Sequence, residues 1–123
     1  MPEQFAGVVV NELRRLETGL GEVAAQIRGK RTLSQFEREQ VTAAYSAIKD
    51  ELRRLRETGT VGGARRERTE SEERFFVPAV RQALIALRAP TNTNPISSGW
   101  ASQLSEAQTE ISYHLDRLER ELR

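Results

Sequence analysis

Apolar residues that step by four and three recur in three separate stretches of this chain, and that spacing commits it to long helices. In the first stretch they are Val9, Leu13, Leu16, Leu20, Val23 and Ile27. In the second they are Val41, Tyr45, Ile48, Leu52 and Leu55. In the last, Trp100 or Ala101 leads to Leu104, Ala107 or Gln108, Ile111, Leu115, Leu118 and Leu122. An α-helix turns through 100° per residue, so these steps place the apolar side chains on one stripe. A repeat of four and three is the heptad seam of helices packed side by side. No stretch shows the strict alternation of a half-buried strand.

A fourth stretch, from Phe75 to Ala89, has a different pattern. Phe76, Val80, Leu84 and Leu87 form a broad apolar face, and Ala79, Ala83 and Ala86 form a smooth one beside it. Arg74, Arg81 and Arg88, seven residues apart, leave only a narrow polar line. A helix with so little polar surface is expected at the centre of the fold, covered by the other three. Pro78 lies inside it, where it removes one backbone hydrogen bond and crowds the carbonyl of Arg74. That predicts a kink, or a restart with Pro78 in the first turn of a second segment.

Helix boundaries follow from local chemistry. Pro2 suits the first helical position, with Glu3 near the positive end of the dipole. Gly29 suits a left-handed residue just past a helix end, and Gly59 closes the next helix. Thr32-Leu33-Ser34-Gln35, Ser34-Gln35-Phe36-Glu37 and Thr69-Glu70-Ser71-Glu72 all fit the capping box. Pro90 stops the third helix, while Asn94-Pro95, Ser97 and Ser98 are candidate starts for the fourth. The helices therefore cover about 3–28, 33–57, 70–89 and 96–122, with a flexible glycine loop at 58–68 and a second loop at 90–98. Gly7, Gly19 and Gly21 weaken the first helix. They either bend it at Thr18–Gly21 or let a neighbouring backbone come close. Short turns between long helices make an all-α, antiparallel four-helix bundle, one domain over 1–123.

Several chemistries are excluded or unsupported. There are no cysteines, so disulfides, thiolate zinc sites and cysteine nucleophiles are out, in keeping with a reducing cytoplasm. No apolar run reaches membrane-spanning length and no signal peptide is apparent. His114 is the single histidine, and neither Glu110 nor Glu119 stands three residues before it, so the carboxylate-bridged metal bundle is excluded. Beside Ile111 and Leu115, His114 is expected as a flanking residue on the surface. Gly19-Leu20-Gly21-Glu22-Val23-Ala24 has the letters of a dinucleotide fingerprint but lacks the strand that would deliver the loop. Glu37, Glu39, Glu51, Glu57, Glu72 and Glu73 have arginines three to five residues away, as in ordinary pairing on a helix surface. No catalytic residue, cofactor, metal or small-molecule ligand is expected.

The formal net charge is only +1, so binding to a polyanion would require local clustering. Nineteen basic residues include just two lysines, Lys30 and Lys49, a bias that arginine-rich codon usage or selection for phosphate forks would each produce. Arg53, Arg54 and Arg56 end the second helix, and Arg65, Arg66 and Arg68 follow across the glycine loop. These six either complement a helix dipole and stay solvated or clasp phosphates. Trp100 is either a staple between loop and bundle or an interface anchor. With Leu115, Leu118 and Leu122 it forms the candidate interface. The chain is expected to be a non-catalytic helical interaction or assembly subunit, as a homo-oligomer or within a larger assembly. The alternative is sequence-independent binding of a nucleic-acid backbone, as a subunit of a nucleoprotein complex.

Overall fold

A computed structural model of the protein describes residues 2–88 and 98–123. The described residues are helices and connecting loops, with no strand among them. The four helices are α1 (Pro2–Ile27), α2 (Gln35–Thr58), α3 (Val77–Ala86) and α4 (Ser98–Glu121). The expected stop at Pro90 and caps at Asn94-Pro95 and Ser97 lie outside the described residues. Among the described residues no helix is long and apolar enough to cross a membrane.

Each predicted seam faces inward. Val9, Leu13, Leu16, Leu20, Val23 and Ile27 of α1 are buried, as are Val41, Tyr45, Ile48, Leu52 and Leu55 of α2. From α4, Trp100, Leu104, Ala107, Ile111, Leu115 and Leu118 join the same core. Side-chain contacts fix the directions of the helices. Between α1 and α4, Arg14 meets Glu119 at 2.9 Å, Glu17 accepts from Ser112, and Gly21 faces Gln108. As α1 numbers rise α4 numbers fall, so the two run in opposite directions. The same holds for α1 and α2 through Arg15–Glu51 and Gly19–Ile48. Arg74 with Glu121 and Arg88 with Glu106 show it for the third helical segment and α4.

Gly19 and Gly21 of α1 permit close approach of neighbouring side chains, whereas Gly7 faces open space, and the helix runs through Thr18–Gly21 without a break. A Cβ on Gly19 would lie 3.2 Å from Ile48 Cδ1, and one on Gly21 would lie 2.9 Å from Gln108 Nε2. Of the two overlapping capping boxes before α2, the second forms. Glu37 N donates to Ser34 Oγ at 3.2 Å, and Ser34 N donates to Glu37 Oε1 at 2.9 Å. This starts the helix at Gln35 and leaves Leu33 to tuck into the core. Lys30 pairs with Glu37, and with the Ser34 contacts it lowers the Glu37 pKa to about 2.

The third helical segment changes hydrogen-bond register part-way along and keeps one side open. Residues Glu72–Phe76 form a π-helical turn in which Val77 N donates to Glu72 O, five residues back. Pro78 has no N–H to offer the carbonyl of Arg74, so the α-helical ladder has to change register before it. The wider turn does this, and α3 restarts with Pro78 in its first turn. Both Phe75 and Phe76 are buried. The helix stops at Ala86, short of the expected end near 89, and Arg88 Nη1 donates to Ile85 O at 3.2 Å and Ala86 O at 3.4 Å. Arg74, Arg81, Gln82 and Arg88 are exposed and Ile85 is 59% exposed. The segment therefore keeps one open side: its alanine face is packed, but only α2 and α4 make extensive contact with α3.

Gly59 ends α2 in the left-handed region at φ 69°, its N–H bonded to Leu55 O at 2.7 Å. A Cβ there would meet Arg68 Nε at 2.5 Å and Val77 Cγ2 at 2.8 Å. Replacing Gly59 with Ala combines the left-handed penalty with that crowding. The expected cost is about 2 kcal/mol, read as a lower urea midpoint with an unchanged slope.

Candidate functional site

Two regions bring chemically interesting side chains together. The first joins the end of α2 to the loop after it. At its centre is Glu72, whose side chain is 0% exposed. The Thr69-x-x-Glu72 box forms, with Thr69 N donating to Glu72 Oε1 at 2.9 Å and Glu72 N donating to Thr69 Oγ1 at 3.3 Å. The carboxylate goes further than a cap requires. It accepts from Val61 N at 2.6 Å and from both Nη atoms of Arg66 at 2.7 and 2.8 Å. The Arg66 guanidinium in turn covers the ring of Phe5 in α1 at 4.6 Å. Burial works against the charged carboxylate. The Arg66 fork and the two backbone N–H groups outweigh it and hold the Glu72 pKa below the usual carboxylate range. Glu72 was expected on a wet helix surface. Its burial corrects that, because the capping geometry turns its side chain back over the helix start and under the glycine loop.

The loop is short of free arginines. Of the six candidate phosphate ligands, Arg66 is taken by Glu72. Arg54 Nη1 donates to Gly62 O at 3.0 Å. Arg68 donates to Thr58 O at 2.8 Å and to Glu73 at 3.1 Å. Arg53 pairs with Asp50 at 3.1 Å on the surface. Among the described residues, only Arg56 and Arg65 of the six carry no such contact. Gly62 and Gly63, both at positive φ, turn the backbone so that it offers its carbonyl to Arg54. Thr60, fully buried, ties the loop to itself by donating to Ala64 O at 2.5 Å.

The second region is the outer face where α1 and α4 meet. Two open grooves of about 600 and 710 Å³ run along it and share Arg14 and Glu119. Val8, Asn11, Leu122 and Arg123 line one. Glu17, Ser112, Tyr113 and Asp116 line the other. Val8 is 45% exposed, Tyr113 57% and Leu122 43%. Three of the five exposed large hydrophobic residues among the described ones therefore lie on this face. The candidate interface of Trp100, Leu115, Leu118 and Leu122 is split by the structure. Trp100, Leu115 and Leu118 fill the protein's own core, and Leu122 alone remains outside. The Trp100 ring meets Tyr45 edge-on at 5.4 Å, which packs the start of α4 against α2, while the loop it was expected to staple lies outside the described residues. Sequence reasoning missed Val8. It directly precedes seam residue Val9, so it points to the flank of the stripe, where apolar residues carry no periodic signal.

His114 is buried at 7% exposure, where a surface position was expected. It stands seven residues from both Ala107 and Glu121, hence on the flank of α4 that faces α3 and the π-helical turn. Among the described residues its Nδ1 has no hydrogen-bond partner. The Tyr113 ring covers it at 5.1 Å. Burial pushes its pKa below the ordinary histidine value. Glu110 pulls it back up, and Arg117 adds to the lowering. Tyr45 is buried beside Trp100, and its hydroxyl is pushed up by that burial. Among the described residues no group of three or more histidine and carboxylate side chains gathers in metal-binding geometry.

Two outcomes follow from these environments. Glu72→Ala strands Arg66 and two backbone N–H groups at a buried site, with an expected cost of about 3–5 kcal/mol in chemical denaturation. The fold lowers the pKa of His114, the only histidine, while the unfolded chain binds a proton below about pH 6.5. Stability is therefore fully present above that pH and falls as pH drops through it, by at most about 1.4 kcal/mol per unit. Urea midpoints at pH 7.5 and 5 measure this, and His114→Phe removes the slope. Comparison of the chain with protein-family models, with curated proteins and with solved structures finds no match.

Proposed function

We propose that the chain is a non-catalytic helical assembly subunit, an antiparallel four-helix bundle that acts through protein–protein contacts. The opposed directions of α1 with α2 and of α4 with both α1 and the third helical segment support the bundle. One observation carries the function: three exposed apolar side chains, Val8, Tyr113 and Leu122, border two connected grooves on the α1/α4 face. Large apolar groups set among polar ones along a groove are the usual composition of a protein interface. No cofactor or small-molecule ligand enters this proposal, and the cysteine-free composition suits a reducing cytoplasm.

The alternative, binding of a nucleic-acid backbone, has less to support it. Three of the six arginines that would contact phosphate, Arg54, Arg66 and Arg68, already serve the protein's own carbonyls and carboxylates. Arg53, held only by an exposed pair with Asp50, together with Arg56 and Arg65 would release about three counterions, too few for a tight backbone binder.

The test is the native size of the species that carries the chain, read by sedimentation of an extract from its own cells. A particle well above the 13.9 kDa of one chain is expected. A lone monomer throughout would overturn the assignment.

A further inference from the structure

The α1/α4 face has a polarity that suggests its occupant. At one end stand Tyr113, Glu17 and Asp116. At the other stand Val8, Leu122 and Arg123. The Arg14–Glu119 pair lies between them and belongs to both grooves. Tyr113 and Leu122 are nine residues apart on one helix, so the ends are separated by about 14 Å. One end thus offers two carboxylates and an aromatic ring that Arg117 flanks at 5.7 Å, and the other offers two aliphatic groups with a guanidinium.

Such a face is complementary to itself after a half-turn. A two-fold axis near Arg14–Glu119 lays the Tyr113 end of one copy over the Val8–Leu122 end of the other. It does so twice, because an isologous interface repeats every contact. Tyr113 then covers Val8 and Leu122, while Glu17 and Asp116 come opposite Arg123. Among the described residues of its own chain, Asp116 pairs with exposed Arg120 alone, at 2.5 Å. An exposed pair of that kind is worth little and leaves the carboxylate able to take a second cation. The face carries both signs, so a uniformly acidic or basic partner would match one end and oppose the other.

We infer that the α1/α4 face is the contact between two copies of this chain, arranged head to tail about a two-fold axis through the Arg14–Glu119 pair. This rests on the assembly role proposed above and names the partner. The expected species is a dimer whose centre is built from Tyr113, Val8 and Leu122.

Sedimentation equilibrium of the purified full chain from about 1 to 200 µM tests it, with circular dichroism to confirm that each variant stays folded. The wild type is expected to dimerise in that range. Leu122→Glu, Asp116→Arg and Arg123→Glu should each raise the dissociation constant about tenfold or more. The decisive sample mixes Asp116→Arg with Arg123→Glu. In a head-to-tail dimer each variant repels itself, whereas the mixed pair restores both contacts. Near wild-type affinity is therefore expected in the mixture alone. A wild type that stays monomeric, a dimer that tolerates all three substitutions, or a mixture no tighter than its components would each overturn the inference. If the purified chain is monomeric but travels in a larger particle in its cells, the two-fold contact is wrong and the assembly role stands. If it is monomeric in both settings, both fall.

Discussion

A single buried carboxylate, Glu72, decides how the connection between the second and third helical segments is built. A charge removed from water must be fully surrounded by donors or it costs several kcal/mol. Here the donors come from three places in the loop: Val61 N, Thr69 N and the Arg66 fork. Thr69 N is supplied locally by the capping box, but Val61 N and the Arg66 fork are available only if the loop folds back over the start of the third helical segment. The glycines at 62 and 63 make the fold-back possible, and Arg54 holds it from outside by bonding to the Gly62 carbonyl. Stacking of Arg66 on Phe5 then carries the lock across to α1. Of the loop arginines, Arg66 is thus committed to an anion inside the protein, and Arg68 to the Thr58 carbonyl and Glu73.

The lock sits directly against the π-helical turn, and the two features depend on each other. The Glu72 side chain fixes where the helix begins, while its carbonyl accepts the five-residue bond from Val77 N. Pro78 makes some change of register necessary upstream. A kink would have swung α3 away from the core. The wider turn instead keeps α3 running on with its alanine face packed, and Phe75 and Phe76 both point inward. Phe75 also receives the guanidiniums of Arg74 and Arg117 at 5.0 and 5.7 Å, which covers the edge of the turn with charge that reaches solvent.

Periodic features of the fold were legible in the sequence, and features that depend on a single placement were not. The seams of α1, α2 and α4 are buried up to Leu118, with only Leu122 at the end of the last one exposed, because a four-three repeat leaves a helix only one way to hide them. The capping boxes at Ser34 and Thr69 formed because they need only local backbone geometry. Glu72 looked like any other surface glutamate, since the loop that covers it folds on by a route no periodicity records. His114 likewise lies next to the seam, and whether such a flank is wet or dry depends on which neighbour packs there. The Phe75–Ala89 stretch was expected at the centre because apolar content was read as coverage. A ten-residue α-helix with many alanines can be mostly apolar and still leave Ile85 in solvent.

The same distinction bears on the candidate interface. Leucines on a seam were natural suspects for contact with another chain, yet a bundle that closes consumes its seams first. Trp100, Leu115 and Leu118 went inward because α1 and the third helical segment were there to receive them. Leu122 stayed out because it stands at the last turn of α4, where the neighbouring helices offer less cover. Any surface left for a partner must therefore be assembled from seam ends and flank positions contributed by two helices. Val8 on α1 and Tyr113 and Leu122 on α4 are such positions, and none of them would be chosen from one helix considered alone. Contacts within the chain bring them to one face, with Arg14 and Glu119 joining the two helices midway along it. An interface of this kind inherits its geometry from the packing of α1 on α4, so whatever loosens that packing also loosens the interface.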